Sequence, residues 1–296
     1  MIAGFFAFVV FYFGPVSGND KSGSALGIIE SACRIPAFIN CFAGIEMSLE
    51  NKPMAIVLAA GKGTRMKSDL PKVLCRACDR PLVSYVLDAL RNAGVGRIVV
   101  VVGYKADLVR QELSDYPDLE FVEQTEQLGT GHAVIVCKDA VGDFQGPAFV
   151  VAGDSPMLQA ATLKKLVDHY HETETCCLLG TLIHEDPTGL GRIVRDPSGK
   201  FEGIVEHKDC TDEQLKINEV NMSTYLIDCQ KMFSALQDVN QNNSQGEFYI
   251  TDVPGILIGR GEDVRAEPFL QPCEALSVNT VDQLAIVESE MKRLAN

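Results

Sequence analysis

Residues 55–60 read AIVLAA, a short, almost wholly apolar run rich in branched side chains, and it breaks at once into Gly61-Lys62-Gly63-Thr64-Arg65. Such a run, without polar alternation, is the mark of a strand covered on both faces. A chain built around it must supply helices as the cover, which points to the α/β class. The two glycines permit a tight turn and let backbone N–H groups approach a ligand. Lys62, Arg65 and, a little further on, Lys72 bring cationic charge to the same stretch. A buried strand that opens into a basic glycine loop suits a polyphosphate.

Strands and helices then alternate. Apolar strand candidates lie at 54–60, 97–103, 119–123 and 147–152, with amphipathic helix candidates at 81–93, 104–114 and 130–141 between them. This order predicts βαβ units and a Rossmann-like, mostly parallel central sheet flanked by helices. Leu82, Val86, Leu87 and Leu90 recur at helical spacing and read as core. A helix at 160–172 and a strand at 176–184 follow. Short strands near 191–195, 201–206 and 219–227 predict a small antiparallel insertion that forms a pocket wall or lid. Helices near 229–238 and 249–259, a strand near 263–269 and a helix from about 280 to 294 close the domain.

Composition narrows the function classes. The 296 residues carry a net charge of -14, which argues against a nucleic-acid surface but not against a pocket for a small phosphorylated ligand. Ten cysteines are scattered singly apart from Cys75-Arg-Ala-Cys78 and Cys176-Cys177. No second CxxC or nearby Cys/His pair completes a zinc site, so they read as reduced thiols of a cytoplasmic protein. The first 46 residues do not match the rest. Met1 to Val16 is apolar, but no Lys or Arg precedes it, and Gly4, Gly14 and Pro15 interrupt it. It is also short for a membrane span, which needs about 20 apolar residues. The expected division is an extension over 1–46, disordered or a start-site artefact, and a folded domain over 47–296 starting at Met47. The competing reading of the extension is an export signal or anchor.

Gly61-Lys62-Gly63 begins like a dinucleotide-binding turn, but Met66 stands where the third glycine belongs, and no GxxxxGK[ST] occurs. LAAGKGTRM followed by PKVL instead resembles the nucleoside-triphosphate:sugar-phosphate nucleotidylyltransferases, and among them the N-acetylglucosamine-1-phosphate uridylyltransferases. The likeness returns in EQTEQLGTGHA at 123–133, GDSPML at 153–158, DPTGLGRIV from Asp186, GIVEHKDCTDEQ at 203–214, EVN at 219–221, GEFYITD at 246–252 and SVN at 277–279. It runs from about Pro53 to the last helix.

The resemblance implies a role for each motif. Leu58, Ala60, Gly61 and Gly63 would contact the nucleotide, with Arg65 and Lys72 as the catalytic cations on its phosphates. Gln124, Gly129 and Thr130 would hold the uracil, a carboxamide offering both a donor and an acceptor to an imide edge. Thr130 could also cap the helix beginning there, and His132 reads as structural. Asp154, at the carboxyl end of a strand, and Asn279 would hold Mg²⁺. Gly191, Glu206 and Asn221 would face the amino sugar. Two departures bear on the sugar: Met222-Ser223 stands where the family commonly has Thr-Gly, and Ala152 replaces a tyrosine of some members. The implied reaction joins UTP and N-acetylglucosamine 1-phosphate into UDP-N-acetylglucosamine and pyrophosphate. The hexapeptide repeats of a trimerising β-helix are not found, which predicts a stand-alone uridylyltransferase without membrane or nucleic-acid partners. The alternatives are a different sugar 1-phosphate and a non-catalytic nucleotide-sugar sensor.

Overall fold

Strand β1 (Met54–Ala59) sends alternate side chains to opposite faces, as the two-residue period of a strand requires. Met54 and Ile56 enter one apolar cluster; Ala55, Val57 and Ala59 enter another. The computed structural model describes residues 52–63 and 69–294, which fall in one compact unit, Met47–Asn296. The expected extension over 1–46 and the start at Met47 lie outside the described residues.

After β1 comes a hairpin that the periodicity does not announce, β2 (Arg76–Ala77) and β3 (Arg80–Pro81). Its turn places Cys78 and Asp79 at φ of 46° and 65°; aspartate tolerates this left-handed region, but cysteine rarely adopts it and no glycine marks the turn. Helix α1 (Leu82–Asn92), β4 (Arg97–Val102), α2 (Ala106–Glu112) and β5 (Leu119–Glu123) follow. Helix α2 starts at Ala106, later than expected, because Lys105 takes a left-handed φ of 50°. The helix expected over 130–141 is two short ones, α3 (Thr130–Ile135) and α4 (Lys138–Val141). Then come β6 (Pro147–Ala152), α5 (Ala160–Thr173), β7 (Cys177–Ile183), β8 (Gly191–Arg195), β9 (Phe201–Val205) and β10 (Glu219–Asp228). The chain closes with α6 (Cys229–Ala235), α7 (Asp252–Gly259), β11 (Val264–Glu267) and α8 (Val281–Leu294).

The main sheet has the order β11-β7-β10-β6-β1-β4-β5, with β8 and β9 joined to it through β10. Along that path β10 alone among the described strands runs antiparallel to its neighbours. This corrects one expectation. The segment at 219–227 is not confined to a peripheral insertion; it is a buried strand at the centre of the sheet, between β6 and β7. A register shift between Asn221 and Thr224, with Ser223 at φ 53°, lets its first residues also pair with β8. Helices α1, α2 and α5 cover one face of the sheet, and α3, α4, α6 and α7 cover the other.

The described cysteines are free thiols. Burial pushes the thiols of Cys137 and Cys229 up to about 12 and that of Cys176 to about 11, so they stay protonated and inert at neutral pH. No helix among the described residues is long and apolar enough to cross a membrane.

Candidate active site at the carboxyl edge of the sheet

A cleft of about 520 Å³ opens where β1, β5 and β6 end. Leu58, Ala60 and Gly61 line it from β1 and its loop, Gln124 from just past β5, and Ala152 and Asp154 from the end of β6. Ligands of open α/β sheets bind at this edge. Lys72, Gly129, Thr130, Glu206 and Asn279 complete the expected residues found on its wall. Gly63, Gly191 and Asn221 lie beside the cleft without lining it, and Arg65 lies outside the described residues.

One corner gathers groups from three distant parts of the chain. Pro71 turns the backbone, and Val73 and Leu74 are buried, so the short helical turn they form carries Lys72 at its start. Its ammonium pairs with Asp154 and donates to Asn279 Oδ1 at 2.5 Å. The side chains of Lys72 and Asp154 are 14% and 23% exposed. Gly63, at φ 62°, makes room for the lysine: a Cβ there would stand 2.5 Å from Lys72 Cβ. Its missing side chain therefore serves the placement of Lys72. Asp154 is drawn over β1 by Gly153, whose N–H donates to Leu58 O at 2.9 Å. Asn279 follows the fully buried Val278, and its Nδ2 donates to Ser277 Oγ at 3.2 Å, which turns Oδ1 towards the lysine. The buried Glu274 accepts from Gln159 N, Thr162 Oγ1 and Gln271 N and so pins this segment to α5.

Two oxygen ligands that meet around one cation suit a hard divalent metal, which takes carboxylate and amide oxygens and fills its remaining positions with water and substrate phosphate. Among the described residues no group of three or more His, Cys, Asp or Glu could hold a metal. A metal here would therefore take its remaining ligands from water and substrate phosphate. Charge argues the same way. Among the described lining residues three carboxylates, Asp154, Glu206 and Glu247, outnumber the single ammonium of Lys72, so added cations would favour the entry of two anionic ligands.

The second corner is built from backbone. Gly129 has φ 111°, and a Cβ on it would stand 2.5 Å from Phe248 O. That glycine lets 128–131 lie against 248–250, joined by Gly131 N to Phe248 O at 2.7 Å and Phe248 N to Leu128 O at 2.8 Å. Thr130 Oγ1 accepts from Ile250 N at 3.1 Å, so its hydroxyl ties the two segments together and does not cap α3. The same pairing explains why α7 begins at Asp252 and not at 249. Gln124 is 3% exposed and donates from Nε2 to Gly129 O. Lys62, read from sequence as part of the cationic loop, lies over the Tyr104 ring at 5.4 Å from its centroid.

The third corner holds Glu206. Burial pushes its carboxyl above the usual range, and nearby Asp209, Asp252 and Glu247 add to the shift while a Thr251 hydroxyl opposes it. Gly191 lies opposite Asn221 across the β8–β10 ladder, and a Cβ on it would come within 3.7 Å of Glu206 Oε1. Asn221 itself donates to Tyr225 OH at 2.6 Å and accepts from Ser223 N at 3.1 Å, below the cleft wall. A carboxyl raised in the folded state adds stability while protonated and loses it as pH climbs through the folded value. Glu206→Gln is therefore expected to raise the thermal midpoint at pH 7.5 by on the order of 2 °C, the gain vanishing near pH 4. Thermal scans at the two pH values check this; a lower midpoint at pH 7.5 would contradict it.

Glu247, Ile250 and Thr251 line the cleft but were given no role by sequence, although GEFYITD stood out as a motif. Gln127 and Ala133, inside EQTEQLGTGHA, line it too without a signal that sets them apart in the sequence.

Residues 55–195 match the MobA-like NTP transferase domain family, and the chain belongs to the nucleotidyltransferases, as its curated relatives show. In particular it is homologous to the bifunctional protein GlmU, and the match fits the uridylyltransferase half of that protein. It is 43% identical to GlmU of Halalkalibacterium halodurans over 242 residues, covering 82% of this chain and 53% of that protein. With GlmU of Listeria innocua it shares 42% identity over 248 residues, covering 83% and 53%. The chain thus spans about half the length of the curated relatives it matches. A crystal structure of UDP-glucose pyrophosphorylase complexed with UDP-glucose is similar at a TM-score of 0.65 and 18% identity, covering 82% of this chain and 99% of that one. That likeness concerns the fold.

Proposed function

We propose that residues 47–296 form a nucleotidylyltransferase domain that transfers UMP from UTP to N-acetylglucosamine 1-phosphate, releasing pyrophosphate. The observation that carries this reading is the meeting of Lys72, Asp154 and Asn279 at one end of a cleft whose other walls hold Gln124 and Glu206. Identity of 42–43% to GlmU proteins supports the same activity class.

No general base is needed. A phosphate monoester has a second pKa of about 6 and is largely dianionic at neutral pH, so it can attack the α-phosphorus itself. What the protein must do is hold two repelling anions in line and offset charge on the departing pyrophosphate. Lys72 does the second from a fixed position, and Arg65 is proposed to join it. Gln124, Gly129 and Thr130 hold the base, and Glu206 accepts from sugar hydroxyls. A divalent cation, Mg²⁺ in this proposal, would be held by Asp154 and Asn279 and would supply charge neutralisation between the two phosphate groups.

Pyrophosphate release measured across a panel of nucleoside triphosphates and sugar 1-phosphates tests the reading. The expected best pair is UTP with N-acetylglucosamine 1-phosphate, in the presence of Mg²⁺. Preference for another sugar 1-phosphate would transfer the assignment to that sugar, a result the Met222-Ser223 departure and the inward bonding of Asn221 make worth testing. Binding of nucleotide sugar without turnover of any pair would favour a sensor.

A further inference from the structure

We propose that His132 is a positioning residue that locks the Gln124 carboxamide as a hydrogen-bond acceptor towards the nucleobase, and that it thereby helps select an imide-bearing base over cytosine. The inference rests on reading the cleft as a nucleotide site, and it supplies a basis for choosing the base.

One terminal atom of the Gln124 side chain lies 3.1 Å from Gly129 O. A carbonyl oxygen only accepts, so that atom is the amide nitrogen Nε2. The same Nε2 lies 3.0 Å from His132 Nδ1. Nδ1 must then accept as well, which makes the ring a neutral imidazole with its proton on Nε2. Both Gln124 amide hydrogens are thus engaged by the protein. Gln124 Oε1 has no protein partner among the described residues and is not among their buried unsatisfied atoms, so it opens on the cleft that Gln124 lines.

A fixed acceptor there receives the N–H of an imide and meets the lone pair of cytosine N3 unfavourably. Gly129 O alone is a weak lock, because it also accepts from Ala133 N at 3.2 Å. His132 is the restraint given to Gln124 alone, and its place in the first turn of α3 sets it behind the carboxamide and outside the cleft lining.

Calorimetric titration of UTP and CTP into the wild-type chain, His132→Ala and His132→Asn tests this without requiring turnover. Asparagine offers a carbonyl oxygen close to where Nδ1 stood. Wild type is expected to favour UTP by at least about tenfold, and His132→Ala to lose most of that preference along with about tenfold in UTP affinity. His132→Asn should recover most of both. A folded alanine variant that keeps the wild-type affinity and preference would overturn the proposal, as would an asparagine variant no better than alanine. Should the alanine variant not fold, ¹⁵N spectra of the wild-type protein at neutral pH decide. A His132 ring protonated on Nε2 only is expected, and a proton on Nδ1 would refute the lock. Wild type that prefers UTP but releases no pyrophosphate refutes the proposed function and leaves this inference standing. An active wild type with an unchanged His132→Ala does the reverse.

Discussion

Lys72→Ala and Asp154→Ala are each expected to lower turnover by at least about 10²–10³-fold while leaving the protein folded. Positioned charges at a phosphoryl centre act in a partly dry cleft, where they are worth more than in water. The stability effect should be modest by comparison. The pair is partly solvated, so removing one member leaves a charge that water can still reach, costing about 1–2 kcal/mol and a few degrees in the thermal midpoint. The double variant should be little worse than either single one, because both groups serve one centre. A further consequence separates their roles. In the free protein the Lys72 ammonium lies against both proposed metal ligands, so its removal should tighten Mn²⁺ binding in the absence of nucleotide, whereas Asp154→Ala should abolish it. Electron paramagnetic resonance of free Mn²⁺ reads this directly. Near-normal turnover in either single variant would sink the assignment.

The second large effect is expected at Gly129. Its backbone conformation, φ 111° with ψ 177°, is one essentially reserved for glycine. Relief by a small shift is closed off too, because a Cβ would stand 2.5 Å from one backbone atom, Phe248 O, and 2.9 Å from another, Phe248 N. Gly129→Ala must therefore part 128–131 from 248–250. That releases Thr130 from Ile250 and Gln124 from Gly129 O, so nucleotide affinity should fall by about a hundredfold and stability by about 3 kcal/mol. Affinity measured by titration and unfolding measured in urea check the two halves. An alanine variant with wild-type affinity would show that the backbone clamp does not shape the base site.

Much of this site was legible where local rules apply. An apolar run ending in glycines announces β1 and its loop, and Asp154 follows another such run, so their common edge could be inferred without a structure. Asn279 was not legible from its surroundings, since nothing near Ser277-Val278-Asn279 indicates a partner 207 residues earlier in the chain. Only the family motif pointed to it. The position of β10 was misread for a related reason. Its pairing with β6 and β7 is non-local, and the irregularity at Met222-Ser223 hides the even burial of a central strand. The hairpin at 76–81 escaped because Cys78 and Asp79 adopt left-handed turns without a glycine. The alternative role of Thr130 as a helix cap is not taken up, because its hydroxyl has a tertiary partner, Ile250 N, that capping rules do not consider.

The cleft at the carboxyl edge of the sheet is proposed to move a nucleotidyl group onto a sugar phosphate. Parallel incubations with UTP labelled at the α- or the γ-phosphorus, with Mg²⁺ and N-acetylglucosamine 1-phosphate, test it most directly. The predicted result is α-label in a UDP-sugar and γ-label in pyrophosphate, both requiring the sugar phosphate and both lost in Lys72→Ala. Absence of α-label from any nucleotide sugar, or UTP breakdown that ignores the sugar phosphate, would contradict it.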